Sequence, residues 1–228
     1  MIKHLLLSTL LLIGASLTPA RAQTQTATSS AAESAHPRPT PEQQEKRRQQ
    51  AEDRLRKDWA DLEKYRAANA KLGPPAPGDS RVVFMGDSIT ENWARMDSKF
   101  FESNGYVGRG ISGQTTPQML VRFRPDVIDL KPKVVVILAG TNDIAGNTGP
   151  STPQMIEENL MSMCELAKAN GIRIVLASVL PAYDYPWRPG VQPASKIAAL
   201  NEWIKQYASD TRATYLDFYS AMVDERQG

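Results

Sequence analysis

The sequence predicts an α/β fold, a three-layer α/β/α sandwich built on a five-stranded parallel sheet and preceded by an N-terminal amphipathic helix. From about residue 79 onward, short apolar runs of strand length alternate with amphipathic helical patterns. This alternation is typical of strands joined by helical crossovers, which place the strands in parallel. The run over residues 133–139 is Val, Ile and Leu between its ends, as expected for a parallel strand that helices cover on both faces.

The main domain is assigned to residues 79–228. Its first long helix has an N-cap at Thr115 with Pro117 in the first turn, and the next has its N-cap at Thr152,. The predicted strands are residues 81–85, 106–111, 133–139, 172–179 and 213–218, and the predicted helices follow residue 115, span 152–170 and span 194–209.

Residues 1–22 predict a secretory signal peptide. Lys3 gives a basic start, residues 5–17 form an apolar stretch too short to span a bilayer, and a small-x-small cleavage site ends at Ala22,. We therefore expect cleavage after Ala22 and a secreted or periplasmic protein, with no membrane span after cleavage. A retained N-terminal anchor is the alternative interpretation.

Two further segments precede the main domain. Residues 23–41 are rich in Gln, Thr, Ser, Ala and Pro, which predicts a disordered linker,. Residues 42–72 predict an amphipathic helix with an apolar stripe of Leu55, Trp59 and Leu62,. We expect this stripe to pack on the main domain, although it could also bind a partner.

Composition excludes several classes of function. Removal of Lys3 and Arg21 with the signal peptide lowers Lys and Arg from 27 to 25, against 25 Asp and Glu, so no excess of positive charge points to nucleic acid. Cys164 is alone, which precludes an intrachain disulfide and predicts a buried structural thiol. The two histidines, His4 and His36, give no metal-ligand pattern, so we expect no metal and no cofactor.

Three residues that follow predicted strands form a candidate catalytic site. Ser88, Gly110 and Asn142 come after the first, second and third strands of the sheet, and the carboxyl ends of parallel strands meet at one edge. A serine hydroxyl beside two or three N–H donors is the arrangement that stabilises a tetrahedral oxyanion. Gly-Asp-Ser alone is a weak signal, because Asp87 or Ser88 could simply cap a helix.

With these motifs the sequence resembles the SGNH, or GDSL, hydrolase family over the main domain. Gly-Asp-Ser-Ile-Thr at residues 86–90 matches the first block of that family, Gly110 the second, and Gly-Thr-Asn-Asp at residues 140–143 the third. The resemblance implies a flavodoxin-like sheet with strand order 2-1-3-4-5. It also implies that Ser88 attacks an ester carbonyl while Gly110 and Asn142 complete the oxyanion hole.

The fourth block of that family, an Asp-x-x-His near the carboxyl terminus, is not matched. Ser220 stands three residues after Asp217, and Gln227 stands three residues after Asp224. Without a base a serine hydroxyl is a weak nucleophile, so we expect weak or no activity of the chain as given. A closing helix is not found either, so we interpret the domain as C-terminally incomplete and expect an uncovered apolar face on the last strands. Purposeful loss of the histidine is the alternative.

Two further groups of residues are candidates for contact with a substrate. Tyr183, Tyr185 and Trp187 lie in a proline-rich loop after the fourth strand, at the catalytic edge. They are predicted to stack on a sugar ring or an acyl chain, with simple loop packing as the alternative. Arg122 and Arg124 are expected to lie on a solvated helix edge, although they could contact an acidic substrate.

The sequence therefore predicts a secreted serine ester hydrolase that acts on a small-molecule or glycan ester. The aromatic loop, without a long hydrophobic lid, favours O-acetyl or short-chain acyl esters of glycans. A lysophospholipase-like or thioesterase-like acyl hydrolase is one alternative. A non-catalytic glycan-binding relative is the other.

Overall fold

The computed structural model describes residues 40–228, apart from the side chains of four residues in the first helix. The predicted signal peptide and the predicted linker up to residue 39 lie outside the described residues. No helix within residues 40–228 combines the length and the hydropathy that crossing a membrane requires.

A parallel sheet forms the middle layer of the fold. Its strands are β1 (Val82–Gly86), β2 (Tyr106–Gly110), β3 (Val134–Leu138), β4 (Arg173–Ala177) and β5 (Thr214–Leu216). Their order in the sheet is β2-β1-β3-β4-β5, and Phe84 of β1 lies opposite Gly108 of β2 and Val136 of β3. This arrangement confirms the predicted α/β class and the strand order that the family resemblance implies.

Helices precede, connect and follow the strands of the sheet. They are α1 (Pro41–Lys57), α2 (Arg66–Leu72), α3 (Ser88–Met96), α4 (Ser98–Ser103), α5 (Thr116–Asp126), α6 (Thr141–Ile144), α7 (Pro153–Ala169), α8 (Ala194–Thr211) and α9 (Tyr219–Met222). Thr152 caps α7 through a hydrogen bond from the Met155 N–H, as the sequence predicts. The sequence pattern predicts no bounds for α3 or α4, although a helix capped by Asp87 or Ser88 is one of its interpretations.

The alternation of side chains along each strand gives the core two layers. Val83 and Ile137 point to one side, where they join apolar residues of α5, α7 and α8 in a buried cluster. On the other side, the ring of Phe84 packs edge-on against Trp93 of α3 and Phe101 of α4, with centroids 5.5 and 5.3 Å apart. Cys164 is buried in the first layer, as predicted.

The central and the last strand differ in burial. In β3 only Val134 is partly exposed, whereas in β5 Thr214 is exposed and Tyr215 and Leu216 are half-buried. β5 is an edge strand with one neighbour. Its position at the edge accounts for the lower burial.

The helix predicted over residues 42–72 is not continuous, because residues 58–65 form turns between α1 and α2. The two carboxylate oxygens of Asp58 accept hydrogen bonds from the N–H groups of Leu62 and Glu63, both at 2.9 Å. A short acidic side chain that captures nearby N–H groups competes with the helix for them. The prediction of one continuous helix over residues 42–72 is therefore wrong, since two helices separated by turns span these residues.

The apolar stripe predicted on that helix is not buried as a unit. The side chains of Trp59 and Leu62 remain 40% and 39% exposed, and the side chain of Leu55 lies outside the described part of the structure. Ala60 and Asp61, which lie between the two, are buried. The segment therefore contacts the main domain through the Trp59 and Ala60 carbonyls and through the side chains of Lys64 and Tyr65, rather than through the predicted stripe.

Candidate active site

Ser88 is the first residue of α3 and follows β1 after one residue. The Oδ1 atom of Asp87 accepts the hydrogen bond from the Ile89 N–H at 2.9 Å, so Asp87 is the helix cap. Ser88 is half-buried, and within residues 40–228 its hydroxyl and its N–H have no hydrogen-bond partner. Of the two capping alternatives the structure therefore assigns the cap to Asp87, which leaves the Ser88 hydroxyl uncommitted.

The turn before Ser88 requires a glycine. A Cβ atom on Gly86 would lie 2.1 Å from the Thr90 hydroxyl and 3.0 Å from the Leu138 carbonyl. The glycine thus allows α3 to start directly above the end of β1. This close approach brings the helix N-terminus, with its free N–H groups, to the edge of the sheet.

Asn142 lies at the same edge, in the first turn of α6 after β3. Its buried Nδ2 group donates to the Gln114 carbonyl at 3.0 Å and to the Asp87 carboxylate at 3.3 Å. Its Oδ1 atom accepts a hydrogen bond from Asn147 at 2.9 Å. The structure therefore brings Asn142 next to the residue that precedes Ser88.

Gly110 is the last residue of β2 and also lies beside the start of α3. A Cβ atom there would come within 2.2 Å of the Glu91 nitrogen and 2.5 Å of the Asp87 carbonyl oxygen. The Gly110 carbonyl accepts a hydrogen bond from the Tyr65 hydroxyl. Because the N–H and C=O of one strand residue point to the same side, the Gly110 N–H faces the outer edge of β2 rather than β1.

Gly113, which the sequence analysis did not select, lies in the turn after β2. This turn is closed by a hydrogen bond of 3.2 Å from the Gln114 N–H to the Ile111 carbonyl, and Gly113 has φ +80°, as the third position of a type II turn requires. Its N–H has no acceptor within the described residues. The Ile-Ser-Gly-Gln sequence was the available signal, because a glycine is the usual residue at such a position.

Two buried carboxyl groups support the turns of the site. Burial raises the pKa of Asp87 to about 6, and the negative charge of Asp143 adds to the rise. Burial also raises the pKa of Asp143 to about 6, although Asp143 accepts hydrogen bonds from the Thr116 N–H and, at 2.6 Å, from the Thr116 hydroxyl. The second carboxyl group therefore fixes the start of α5 against α6.

The sequence predicts that Arg122 lies on a solvated helix edge. This prediction is wrong, because the side chain of Arg122 is fully buried. It donates to the Gln114 side chain at 2.5 Å, to Asp126 at 3.0 Å and to the Gly86 carbonyl at 3.0 Å. These three acceptors replace the hydrogen bonds that the guanidinium would otherwise form with water. Arg124, two residues later, is exposed as predicted.

The aromatic loop contributes one buried and two exposed rings. Tyr185 is buried, and its hydroxyl accepts a hydrogen bond of 2.9 Å from the Thr141 hydroxyl, next to Asn142. Trp187 stacks on Tyr185 with 4.8 Å between centroids and stays 58% exposed. Tyr183 is 62% exposed. The loop is thus anchored beside the site and presents aromatic surface to solvent.

The two aspartates near the carboxyl terminus have local roles. Asp217 accepts hydrogen bonds from the N–H and the hydroxyl of Ser220 at 2.9 and 2.7 Å, next to the start of α9. Asp224 accepts from the N–H groups of Arg226 and Gly228, both at 2.9 Å. Within residues 40–228 no cluster of three or more His, Cys, Asp or Glu could hold a metal ion.

Known proteins are similar to this chain in both sequence and structure. The model of the GDSL-like lipase/acylhydrolase family matches residues 84–228. A GDSL-like lipase from Bacteroides thetaiotaomicron has 48% sequence identity and a TM-score of 0.73, with coverage of 75% of this chain and 84% of that one. The esterase TesA of Pseudomonas aeruginosa is 32% identical over 106 residues, which is 45% of this chain and 51% of TesA.

A second curated relative, the lipoprotein YqeF of Bacillus subtilis, is 40% identical over 81 residues, which is 34% of this chain and 33% of YqeF. This chain therefore matches between one third and about one half of the length of these curated relatives. The family match is broader, since it covers more than half of the chain and includes Ser88, Gly110 and Asn142. The chain belongs to the GDSL-like lipase/acylhydrolase family.

Proposed function

We propose that this chain is a secreted ester hydrolase in which Ser88 is the nucleophile. The observation that carries the proposal is the position of the Ser88 hydroxyl, which has no hydrogen-bond partner within the described residues and lies at the N-terminus of α3. The Asn142 amide lies close by, because it donates a hydrogen bond to the carboxylate of the preceding residue, Asp87. In a family of acylhydrolases, such a hydroxyl is placed for attack on an ester carbonyl.

In the proposed reaction the Ser88 oxygen forms a bond to the acyl carbon while a base removes the hydroxyl proton. The negative charge that develops on the carbonyl oxygen is stabilised by N–H donors. The ester C–O bond then breaks, the alcohol leaves with a proton, and water hydrolyses the acyl-serine. Removing one oxyanion donor costs about 100- to 1,000-fold in rate.

Three donors are proposed for that oxyanion: the N–H of Ser88, the side-chain amide of Asn142, and a glycine N–H. Because the Asn142 amide donates to both the Gln114 carbonyl and the Asp87 carboxylate, the proposal requires its longer hydrogen bond, the one of 3.3 Å to Asp87, to give way to the oxyanion. Gly110 is the glycine that the sequence analysis selected. The free N–H and the positive φ of Gly113 support Gly113 for the role, because the polar groups of Gly110 face Tyr65.

This mechanism needs a base, and residues 37–228 contain no histidine that could serve as one. In another serine hydrolase, loss of the catalytic histidine alone lowers kcat by about a million-fold. We propose that the chain as given has little activity until an imidazole is provided. A non-catalytic glycan-binding role is the second candidate, and the same missing histidine favours it.

For the substrate we propose O-acetyl or short-chain acyl esters of glycans. Trp187 and Tyr183 offer exposed aromatic faces on a loop that Tyr185 anchors to the Thr141 hydroxyl. Flat rings of this kind stack on sugar rings. A lysophospholipase-like or thioesterase-like activity is the alternative within the family. Secretion through cleavage after Ala22 remains part of the proposal.

The test is hydrolysis of p-nitrophenyl acetate by residues 23–228, with and without added imidazole, and with Ser88→Ala as the matched control. Free imidazole hydrolyses this ester by itself, so the difference between the two proteins at equal imidazole is the quantity measured. We expect no difference without imidazole and a Ser88-dependent increment with it.

Two results would change the proposal. Ser88-dependent turnover at ordinary enzyme rates without imidazole would reveal a base that the chain already holds. No increment at any imidazole concentration would remove the hydrolase proposal. Binding of an O-acetylated oligosaccharide to the Ser88→Ala protein, measured by calorimetry, would then support the glycan-binding role.

A further inference from the structure

Residues 58–65, which we call the strap, connect α1 to α2 and run along the outside of the site. Two backbone carbonyls of the strap accept hydrogen bonds from glutamine side chains of the main domain. Gln118 donates to the Trp59 carbonyl at 2.6 Å, and Gln114 donates to the Ala60 carbonyl at 2.8 Å. The strap is thus held by the loop after β2 and by the first turn of α5.

The other end of the strap contacts the same loop. The Tyr65 hydroxyl donates to the Gly110 carbonyl. Lys64 forms an ion pair of 2.5 Å with Glu91 in the first turn of α3, and Glu91 in turn accepts the N–H and hydroxyl of Ser112 at 2.7 and 2.5 Å. The loop of residues 110–114 is therefore fixed to the strap at both of its ends.

Gln114 connects the strap to Asn142, one of the proposed oxyanion donors. Its side chain is 2% exposed; the Oε1 atom accepts from Arg122 at 2.5 Å while Nε2 donates to the Ala60 carbonyl. Its own backbone carbonyl accepts the hydrogen bond from Asn142 at 3.0 Å. Within the described residues no buried side-chain N or O atom is without a partner, and a fully satisfied network of this kind is rigid.

We propose that Gln114 is a positioning residue through which the strap holds the Asn142 amide at the oxyanion site. The proposal rests on the proposed function, since it assigns a role to the strap in the same reaction. The match to the family model begins at Phe84, so the strap lies before the residues that the model covers. A segment that precedes this match is thus proposed to set the geometry of a residue inside it.

The experiment uses two isosteric substitutions that each remove one donor to the strap. Gln114→Glu keeps an oxygen acceptor for Arg122 but loses the hydrogen bond to the Ala60 carbonyl. Gln118→Glu is the matched control: it loses the hydrogen bond to the Trp59 carbonyl but keeps the oxygen that accepts from the Thr115 N–H at 3.1 Å. Only the first substitution is at the residue whose carbonyl holds Asn142.

Two measurements are made on both variants and the parent. In the imidazole-supplemented assay we expect Gln114→Glu to lower the Ser88-dependent kcat by about tenfold with KM unchanged, less than the loss of a whole donor. We expect Gln118→Glu to keep kcat within about twofold of the parent value. Its Tm should fall about as much as that of Gln114→Glu, because each variant loses one hydrogen bond to the strap. In the ¹H–¹⁵N spectrum the side-chain amide signals of Asn142, assigned by their loss in Asn142→Asp, should move only in Gln114→Glu.

The proposal is overturned if the Asn142 signals stay in place in Gln114→Glu, or if they move equally in both variants. If the parent has no Ser88-dependent turnover, the proposed function fails, and the amide signals alone decide the role of the strap. Tyr65→Phe provides a second variant should Gln114→Glu not fold. It removes the hydrogen bond to the Gly110 carbonyl but keeps the ring under the Arg109 guanidinium, 4.7 Å from its centroid.

Discussion

The side chain of Asn147 donates a hydrogen bond of 2.9 Å to the Oδ1 atom of Asn142 and another of 3.1 Å to the backbone carbonyl of Gly113. An asparagine amide has an accepting end and a donating end. Because Asn147 occupies the accepting end, the NH₂ group of Asn142 must face Asp87 and the Gln114 carbonyl. Asn147 therefore orients the amide and ties together the two turns that follow β2 and β3.

Replacement of Asn147 by Asp should lower the Ser88-dependent rate. The aspartate is isosteric but has no donor, so its oxygens would face the Asn142 oxygen and the Gly113 carbonyl. We expect a loss of about tenfold in kcat with KM unchanged, because the amide loses its fixed orientation. The control is Asn104→Asp at the exposed end of α4, where the lost hydrogen bond goes to the Phe100 carbonyl. Equal rates for the two variants would contradict this role of Asn147.

Gly110 and Gly113 should respond differently to replacement by alanine. A methyl group on Gly110 would press on backbone atoms of Glu91 and Asp87, so we expect Gly110→Ala to lower the free energy of unfolding by about 3 kcal/mol or more. At Gly113 the nearest atom would be 3.8 Å away, so only the positive φ is costly, at about 1–2 kcal/mol. Urea titration of both variants measures the difference, and equal losses would contradict this account.

The sheet was predictable from the sequence because its strands are continuous apolar runs. Each observed strand lies within two residues of its predicted bounds at both ends; β3, for example, spans Val134–Leu138 inside the predicted 133–139. The break after α1 was less accessible. The apolar spacing of Trp59 and Leu62 is helical, and only the backbone hydrogen bonds to Asp58 end the helix.

At the site, the sequence could show which residue types follow each strand but not how their hydrogen bonds are shared. Ser88 and Asn142 do lie near each other because parallel strands bring their carboxyl ends together. Arg122 was assigned to solvent because arginine is seldom fully buried. Its acceptors come from Gly86, Gln114 and Asp126, and the acceptors on Gly86 and Gln114 belong to other parts of the chain. No local pattern records such contacts.

Arg122 should be far more important for stability than Arg124. Arg122→Met would leave the buried Asp126 carboxylate without its cation, which typically costs about 3–5 kcal/mol. Arg124→Met, on the exposed side of the same helix, should change the free energy of unfolding by less than about 0.5 kcal/mol. Denaturant unfolding followed by tryptophan fluorescence compares the two. A small effect of Arg122→Met would show that the buried network can rearrange around its loss.

The raised pKa of Asp87 predicts a specific dependence of stability on pH. Burial shifts this pKa from 3.8 to about 6, so between these values the folded protein retains a proton that the unfolded chain has lost. Stability from this group is therefore complete below pH 4 and falls as the pH rises to about 6. Each pH unit in this window is worth about 1.4 kcal/mol, or about 3 kcal/mol in all.

Asp87→Asn isolates that dependence from the other titrating groups. The asparagine keeps an oxygen for the Ile89 N–H, and its NH₂ group faces Asn142 at a cost that does not vary with pH. The free energy of unfolding of the parent, minus that of Asp87→Asn, should therefore fall by about 3 kcal/mol between pH 4 and pH 7. Urea titrations at intervals across this range measure it. A constant or rising difference would mean that Asp87 is ionised in the folded protein throughout, held by the Asn142 amide and Arg122.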